Sequence, residues 1–319
     1  MRVSLITTVK NEESSIAGLL MSIRAQTRLP DEIVLADGGS TDRTLTIVSD
    51  FVAQGMPIRV LVEPGANISE GRNLAIREAK GEIIACTDAG VRLSETWLAD
   101  LVRPIEAGEA DVACGFFASD HKTAFEVAMG ATVLPSLDDI DPERFLPSSR
   151  SVAYTKTAWE QVGGYPEWLD YCEDVVFDLE LRRAGLRFVL RPSAIAYFRP
   201  RPSLSAFFKQ YYRYARGDGK AGLWPKRHLI RYSTYAVAPL AFAVGFWYKL
   251  AWPVLALAVA AYLHRPLRRL APGLGTLSAR EKVQAVLWVP AIRLVGDVAK
   301  MLGYPAGLWW RWRQGRSRG

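Results

Sequence analysis

Arg2-Val3-Ser4-Leu5-Ile6-Thr7-Thr8-Val9 runs directly into Lys10-Asn11-Glu12, and Glu32-Ile33-Val34-Leu35-Ala36 runs into Asp37-Gly38-Gly39-Ser40-Thr41-Asp42. Both are short, apolar, β-branched segments that end in polar turn residues, the pattern of a strand covered on both faces. Ile58 to Val62 and Glu82 to Thr87 repeat it, with helical patterns between them. Strand and helix in alternation predict an α/β fold with a mainly parallel sheet and helices on both faces. In such sheets the ligand sits outside the carboxyl ends of the strands. Here those ends carry Asn11 and Glu12, Asp37, and Asp88.

A further strand is expected over Asp111 to Phe117. Ser119 to Ser149 is polar, Pro-rich and irregular, as an active-site insertion would be. Regular structure resumes at Ser151, with helical patterns at Thr157 to Val162, Glu173 to Ala184 and Ser203 to Arg216.

Charge separates the two parts of the chain. From Arg201 onward there are 20 Lys and Arg against three acids, Asp218, Glu281 and Asp297, whereas the first 200 residues carry 20 bases and 30 acids. A basic tail of this kind meets an anionic surface, and its apolar content selects membrane lipid over nucleic acid. Three cysteines without a C-x-x-C pair suit a reduced compartment. No secretory signal peptide is expected, because Met1 to Val9 reads as a strand leading straight into Lys10.

From Ser233 to Leu263 the single formal charge is Lys249. Split there, each half would be about 20–25 Å long at ~1.5 Å per residue, short of the ~30 Å hydrocarbon core. Lys226, Arg227 and Arg231 precede the stretch and Arg265, Arg268 and Arg269 follow it, which favours both ends on the cytoplasmic side. The expectation is therefore an apolar hairpin over about 233–263, with Trp247, Tyr248, Lys249 and Trp252 near its tip. An interfacial helix over about 281–302 and a Trp/Arg-rich anchor at Trp309 to Arg313 would follow. The organisation expected is a catalytic domain at 1–225 and a membrane-associated helical region, with transmembrane potential, at 226–319. The catalytic domain and Gly319 would both face the cytoplasm.

Several residues carry candidate chemistry. Asp37, before two glycines, is placed to accept a hydrogen bond from a nucleotide base or ribose, or simply to shape the turn. Asp88, beside Gly90, is placed to bind a divalent cation that bridges two phosphates, or is a turn Asp. Glu173 and Asp174 open a helix, where acids cap the dipole, and a carboxylate there could deprotonate an acceptor hydroxyl.

Taken in order, Val3 to Glu13, Asp37 to Thr44, Arg72-Asn73 before Gly81-Glu82, Asp88, Gly163-Gly164-Tyr165 and Glu173-Asp174 resemble the family 2 glycosyltransferases, inverting enzymes of the Rossmann-like GT-A fold. The resemblance covers roughly residues 2–217. It implies that Glu12 and Asp37 hold the nucleoside, that Arg72 lies near the diphosphate, that Asp88 begins the D-x-D metal motif, and that Asp174 is the base with Glu173 beside it. Gln210-Tyr211-Tyr212-Arg213-Tyr214 is similar to the Q-x-x-R-W acceptor motif, with Gln210, Arg213 and Tyr214 as acceptor contacts. The second Asp of D-x-D is Gly90 here, so any Mg or Mn requirement is expected to be weak or partly dispensable. Arg199 and Arg201 fall where a metal-binding His would be expected, and a guanidinium can grip phosphate by itself.

The function implied is transfer of a sugar, UDP-linked by expectation, to a membrane-associated or cell-envelope glycan or lipid-linked acceptor in polysaccharide biosynthesis. Anionic lipid is a further expected partner and nucleic acid is not. The alternatives are a catalytically inactive membrane scaffold of the same fold and a nucleotidyltransferase acting on a sugar phosphate. The second lacks its Gly-rich basic loop after the first strand, and a dehydrogenase lacks G-x-G-x-x-G.

Overall fold

A computed structural model describes residues 1–315, so Gly319 lies outside the described residues. The chain order begins β1 (Val3–Val9), α1 (Ile16–Arg24), β2 (Glu32–Asp37), α2 (Thr44–Ala53), β3 (Ile58–Val62), α3 (Ile68–Glu78), β4 (Ile83–Cys86), β5 (Val91–Leu93) and α4 (Trp97–Glu106). It continues with β6 (Val112–Ser119), α5 (Ala124–Val133), β7 (Val152–Thr155), α6 (Lys156–Gln161), α7 (Glu173–Arg183), β8 (Phe188–Phe198), α8 (Leu204–Ala221), α9 (Pro225–Val244), α10 (Ala251–Leu270) and α11 (Ala279–Arg313).

The strands form one sheet in the order β3-β2-β1-β4-β7-β6-β8-β5. β1 pairs in parallel with β2 and β4, and β2 with β3, as the alternating pattern predicts. β7 runs antiparallel between β4 and β6, and β5 runs antiparallel to β8. Successive strand residues feed opposite faces. Leu5, Ile33, Leu35, Ile83 and Ala85 pack with α1, α2 and α4 on one side. Ile6, Val34, Ala36, Ile84 and Cys86 pack with α3, α6 and α7 on the other. This is the two-sided burial that makes parallel strands read as apolar runs.

The chain divides into two compact units, one of Met1–Asp120 with Leu137–Arg199, the other of His121–Ser136 with the chain from Pro200 on. Thus α8 and the first half of the expected insertion, which the sequence reading places with the first domain, belong to the second unit. The reason is packing. Val127 and Ala128 of α5 share an apolar cluster with Phe207 of α8, Leu270 of α10, and Ala285, Val289 and Ile292 of α11.

The stretch around 233–263 is part of a helical hairpin. α9 and α10 are joined through Gly245 to Leu250 and run antiparallel, with Phe242 edge-on to Trp252 at 5.0 Å and the Tyr235 and Tyr262 hydroxyls 3.4 Å apart. Among the described residues no helix is long and apolar enough to cross a membrane. The interfacial helix and the Trp/Arg anchor expected from sequence are one continuous helix, α11, of 35 residues.

Candidate active site

The turn after β1 and the turn after β2 are laced together. Asn11, in the left-handed region at φ 56°, donates its N–H to Ser40 Oγ at 2.9 Å and accepts from the Thr41 N–H at 2.8 Å. The Glu12 N–H donates to Thr44 Oγ1 at 2.7 Å, and the Glu12 carboxylate accepts from Ser15 Oγ. Asp37 is buried and its Oδ2 accepts from the N–H groups of Gly39 and Ser40 at 3.0 and 2.9 Å, while the Ser40 hydroxyl donates to Oδ1. Gly39, at φ 86°, is the conformation this turn demands of a glycine.

Asp88 follows β4. Its Oδ1 is 3.0 Å from Arg72 Nη2 and its Oδ2 is 3.5 Å from Arg150 Nε. Arg72 is brought here by α3, whose N-terminus is fixed by a capping box between Asn67 and Glu70. Gly71 lets that helix lie close on β1, since a Cβ there would sit 3.0 Å from Thr8 Cγ2. The Arg72 side chain is 2% exposed. Its Nη1 pairs with Glu173 Oε1 at 2.6 Å and its guanidinium lies over the Tyr165 ring at 5.3 Å. Arg72 is therefore committed to two carboxylates, which ties the end of β4 to the start of α7.

The next residue on α3 does equivalent work for the glycine turn. Asn73 Oδ1 accepts from the Tyr165 N–H at 2.9 Å and from Trp159 Nε1 at 3.0 Å, while its Nδ2 donates to the Tyr165 carbonyl at 2.8 Å and to Glu167 Oε1 at 2.9 Å. Gly164, at φ 81°, comes so near that a Cβ would lie 2.8 Å from Asn73 Oδ1. The Arg-Asn pair and the Gly-Gly-Tyr turn, 90 residues apart in sequence, are thus two halves of one contact.

Glu173 is buried and its carboxyl is pushed up to about 7, first by burial and then by the negative charge of Asp174, against the opposing pull of Arg72. Asp174 is half-buried, with Oδ1 accepting from the Val175 N–H at 2.8 Å. One turn on, Asp178 is fully buried, and its Oδ2 has no hydrogen-bond partner. Burial, and then Asp174's charge, hold Asp178 well above the usual carboxylate range. The residues brought together are thus Arg72, Asp88, Glu173 and Asp174, with Glu12 and Asp37 at the neighbouring strand ends. Arg150 and Asp178 carried no sequence signal, because neither belongs to a recognisable local pattern. An open depression of about 550 Å³ at the outer side of the glycine turn, lined by Asn73, Arg77, Trp159 and Glu167 among others, includes none of Glu12, Asp37, Asp88, Glu173, Asp174 and Asp178.

Arg199 is exposed directly after β8, beside Phe198, whose ring lies under the Arg150 guanidinium at 4.8 Å. Arg201 and the acceptor-motif residues belong to the second unit. There Gln210 Nε2 donates to Tyr214 Oη at 2.8 Å, the Tyr211 and Tyr214 rings are 5.7 Å apart, and Arg213 is exposed.

Among the described residues no group of three or more His, Cys, Asp or Glu could hold a metal ion. Asp88 offers one accessible carboxylate, already facing two guanidinium groups. Such a donor set fits an ion that arrives with a diphosphate, because Mg²⁺ takes one or two carboxylates plus phosphates and keeps its waters.

The family model for glycosyl transferase family group 2 matches residues 83–291, and that for glycosyl transferase family 2 matches residues 4–140. The chain is a family 2 glycosyltransferase. This transferase is 26% identical over 212 residues to the uncharacterized glycosyltransferase EpsJ of Bacillus subtilis, a match over 63% of this chain and 62% of that one. The chain thus spans about three fifths of that relative's length. It is 27% identical over 247 residues to the succinoglycan biosynthesis protein ExoA of Rhizobium meliloti, covering 73% of this transferase and 74% of ExoA. The mannosyltransferase PcManGT of Pyrobaculum calidifontis, solved in complex with GDP-Man and Mn2+, has the same fold, with a TM-score of 0.56 at 20% identity over 94% of this chain and 86% of that one. The mixed, mostly parallel sheet is consistent with a GT-A fold.

Proposed function

We propose that the chain transfers a sugar from a nucleoside diphosphate sugar, UDP-linked by expectation, to a glycan or lipid-linked acceptor, with inversion at the anomeric carbon. One observation carries the reading. Arg72 ties the end of β4 to the first turn of α7, where Asp174 is half-buried next to the fixed Arg72–Glu173 pair, and the ends of β1 and β2 lie alongside in the sheet. In the proposed step Asp174 takes the proton of the acceptor hydroxyl as its oxygen bonds to the anomeric carbon. The carbon–oxygen bond to the diphosphate breaks on the opposite face, and its electron pair leaves with the diphosphate. Attack from one face and departure from the other give inversion. Glu12 and Asp37 are proposed to meet the nucleoside, Asp88, Arg199 and Arg201 the diphosphate, and Gln210, Arg213 and Tyr214 the acceptor. A Mg or Mn ion, when bound with the donor, would be held by Asp88 and would supply positive charge against the diphosphate. ExoA, named for succinoglycan biosynthesis, supports a polysaccharide-building acceptor.

We also infer that α9 and α10 attach the protein to the cytoplasmic face of the membrane, with Gly319 on the same side. Leu240, Phe242, Phe246, Trp247, Tyr248 and Leu250 are exposed around the hairpin tip, and basic residues stand at its base. Since no described helix is of spanning length and hydropathy, the reading is shallow insertion into one leaflet. The test is to supply the full chain in membranes with a panel of UDP-, GDP- and dTDP-sugars and to follow transfer or hydrolysis. Asp174→Asn should lower turnover by roughly 10²- to 10⁴-fold, the range of a lost general base. Near-normal turnover in that variant, or no reaction with any donor, would refute the reading.

A further inference from the structure

Arg72 leaves the donor's diphosphate without its expected partner. Its guanidinium is 2% exposed, and each terminal nitrogen is bound to a carboxylate. Reaching a phosphate would mean breaking a buried ion pair, which is costly once one charge is left alone. The sheet offers a different cation. β7 runs antiparallel to β4 with Cys86 opposite Val152, and extending that register sets Asp88 opposite Arg150. The Arg150 backbone is pinned by Thr87 Oγ1, which donates to its carbonyl at 2.9 Å. Its side chain is 25% exposed, with Nε 3.5 Å from Asp88 Oδ2 and Nη1 3.3 Å from Ser148 Oγ. The guanidinium lies over the Phe198 ring, its carbon 4.8 Å from the ring centre. Arg150 thus presents a partly exposed guanidinium at the carboxyl end of β4, beside a partly exposed carboxylate. Exposed pairs of this kind are weak.

We propose that Arg150 is a substrate-contacting cation that exchanges partners: it neutralises Asp88 in the free protein and turns to the diphosphate oxygens when the donor binds. As the anomeric carbon bonds to the acceptor oxygen, the bond to the diphosphate oxygen breaks with its electron pair staying on that oxygen. The proton from the acceptor goes to Asp174, and the charge that develops on the diphosphate is met by Arg150. A guanidinium suits this role because it binds phosphate through two parallel N–H groups and keeps its proton throughout. The inference rests on the donor reading above.

The experiment titrates UDP, GDP and dTDP, and the matching monophosphates, into the full chain, each with Mn²⁺ and with chelator. The wild type should prefer one diphosphate over its monophosphate. Arg150→Ala should weaken that diphosphate by about 10- to 100-fold, the loss of a charge-assisted hydrogen-bond pair, and leave the monophosphate nearly unchanged. Arg150→Lys, which keeps the charge and loses the fork, should fall between and serves if the alanine variant fails to fold. A variant that binds diphosphate as tightly as wild type, or loses both nucleotides alike, overturns the exchange and leaves Arg150 as a structural partner of Asp88. If the wild type binds none of the nucleotides, the donor reading itself fails and this inference falls with it.

Discussion

Glu173 sits where burial and a neighbouring charge act against ionisation, so its protonation is coupled to stability. Its carboxyl is raised from 4.5 to about 7. A raised folded value means the folded protein holds the proton more tightly than the unfolded chain does. The contribution is complete below the unfolded value near 4.5 and is lost as pH climbs through about 7. At about 1.4 kcal/mol per unit, the wild type should lose roughly 2–3 kcal/mol across that window from this group. Glu173→Gln should lack the slope, so urea unfolding from pH 4.5 to 8 would show the variant gaining on the wild type as pH rises. Parallel curves would refute the assignment. Asn73 makes a second prediction, because its amide satisfies both backbone groups of Tyr165 and the Trp159 indole. Asn73→Ala should cost about 2–4 kcal/mol, read as a lower urea midpoint; an unchanged midpoint would mean that water replaces the amide without loss. Sequence reading found Arg72, Asn73 and Asp88 because they stand at fixed places beside strands and helices. It assigned Arg72 to the diphosphate because sequence spacing cannot show that Glu173, 101 residues later, would occupy the guanidinium. Arg150 was illegible for a similar reason: its meaning depends on β7 lying next to β4.

At the scale of elements, α8 and α11 form an unusually close parallel pair. Phe207 meets Gly296, the Tyr212 carbonyl meets Gly303, and Lys220 meets Gly307, so position along one helix advances with the other. A Cβ on Gly307 would lie 2.7 Å from the Lys220 nitrogen, and one on Gly219 would lie 2.8 Å from the Leu308 nitrogen. Glycine permits this backbone approach and larger residues forbid it. Gly307→Leu should therefore destabilise the second unit by about 3 kcal/mol or more, since a backbone has to move. Gly275→Ala, with no atom within 4 Å of its new methyl, should change little. Limited proteolysis within α8 would report the separation, and equal protection in the two variants would mean that the pair tolerates side chains. These glycines look unremarkable in a linear reading, because a helix with scattered glycines is only weakly disfavoured. The early strands were legible because burial on both faces writes a continuous apolar run. β8 was not, since Arg191-Pro192-Ser193 interrupts it. The structure accommodates that interruption as an irregularity: Cys114 pairs with Leu190, but Phe116 pairs with Ile195, so the intervening residues are skipped. Gly115 stands opposite, where a Cβ would come within 2.7 Å of the Ala194 carbonyl.

For the whole molecule, the uneven distribution of charge and apolar surface would make two separable contributions to the proposed membrane attachment. The chain from Arg201 on has 20 basic residues to three acidic ones, while the rest of the sequence is net acidic. Anionic lipid should attract the basic part at about 1 kcal/mol per residue near the surface, over a Debye length of ~10 Å at 0.1 M salt. The hairpin tip contributes differently. Phe246, Trp247 and Leu250 are 68, 77 and 78% exposed, a cost that burial in the headgroup boundary would remove at ~25 cal/mol per Å², independently of salt. Binding of the full chain to vesicles containing phosphatidylglycerol should therefore weaken as salt rises yet level off above zero, and pure phosphatidylcholine vesicles should show only the residual. Phe246→Asp with Trp247→Asp should abolish the residual and leave a purely salt-sensitive association, because both side chains are largely exposed and, among the described residues, the Phe246 ring meets only the neighbouring Phe242 and Trp252 rings of the hairpin. A wild type released completely by salt, with the double variant indistinguishable from it, would show that charge alone holds the protein to the bilayer. The exposed tip would then have to be covered by something other than lipid.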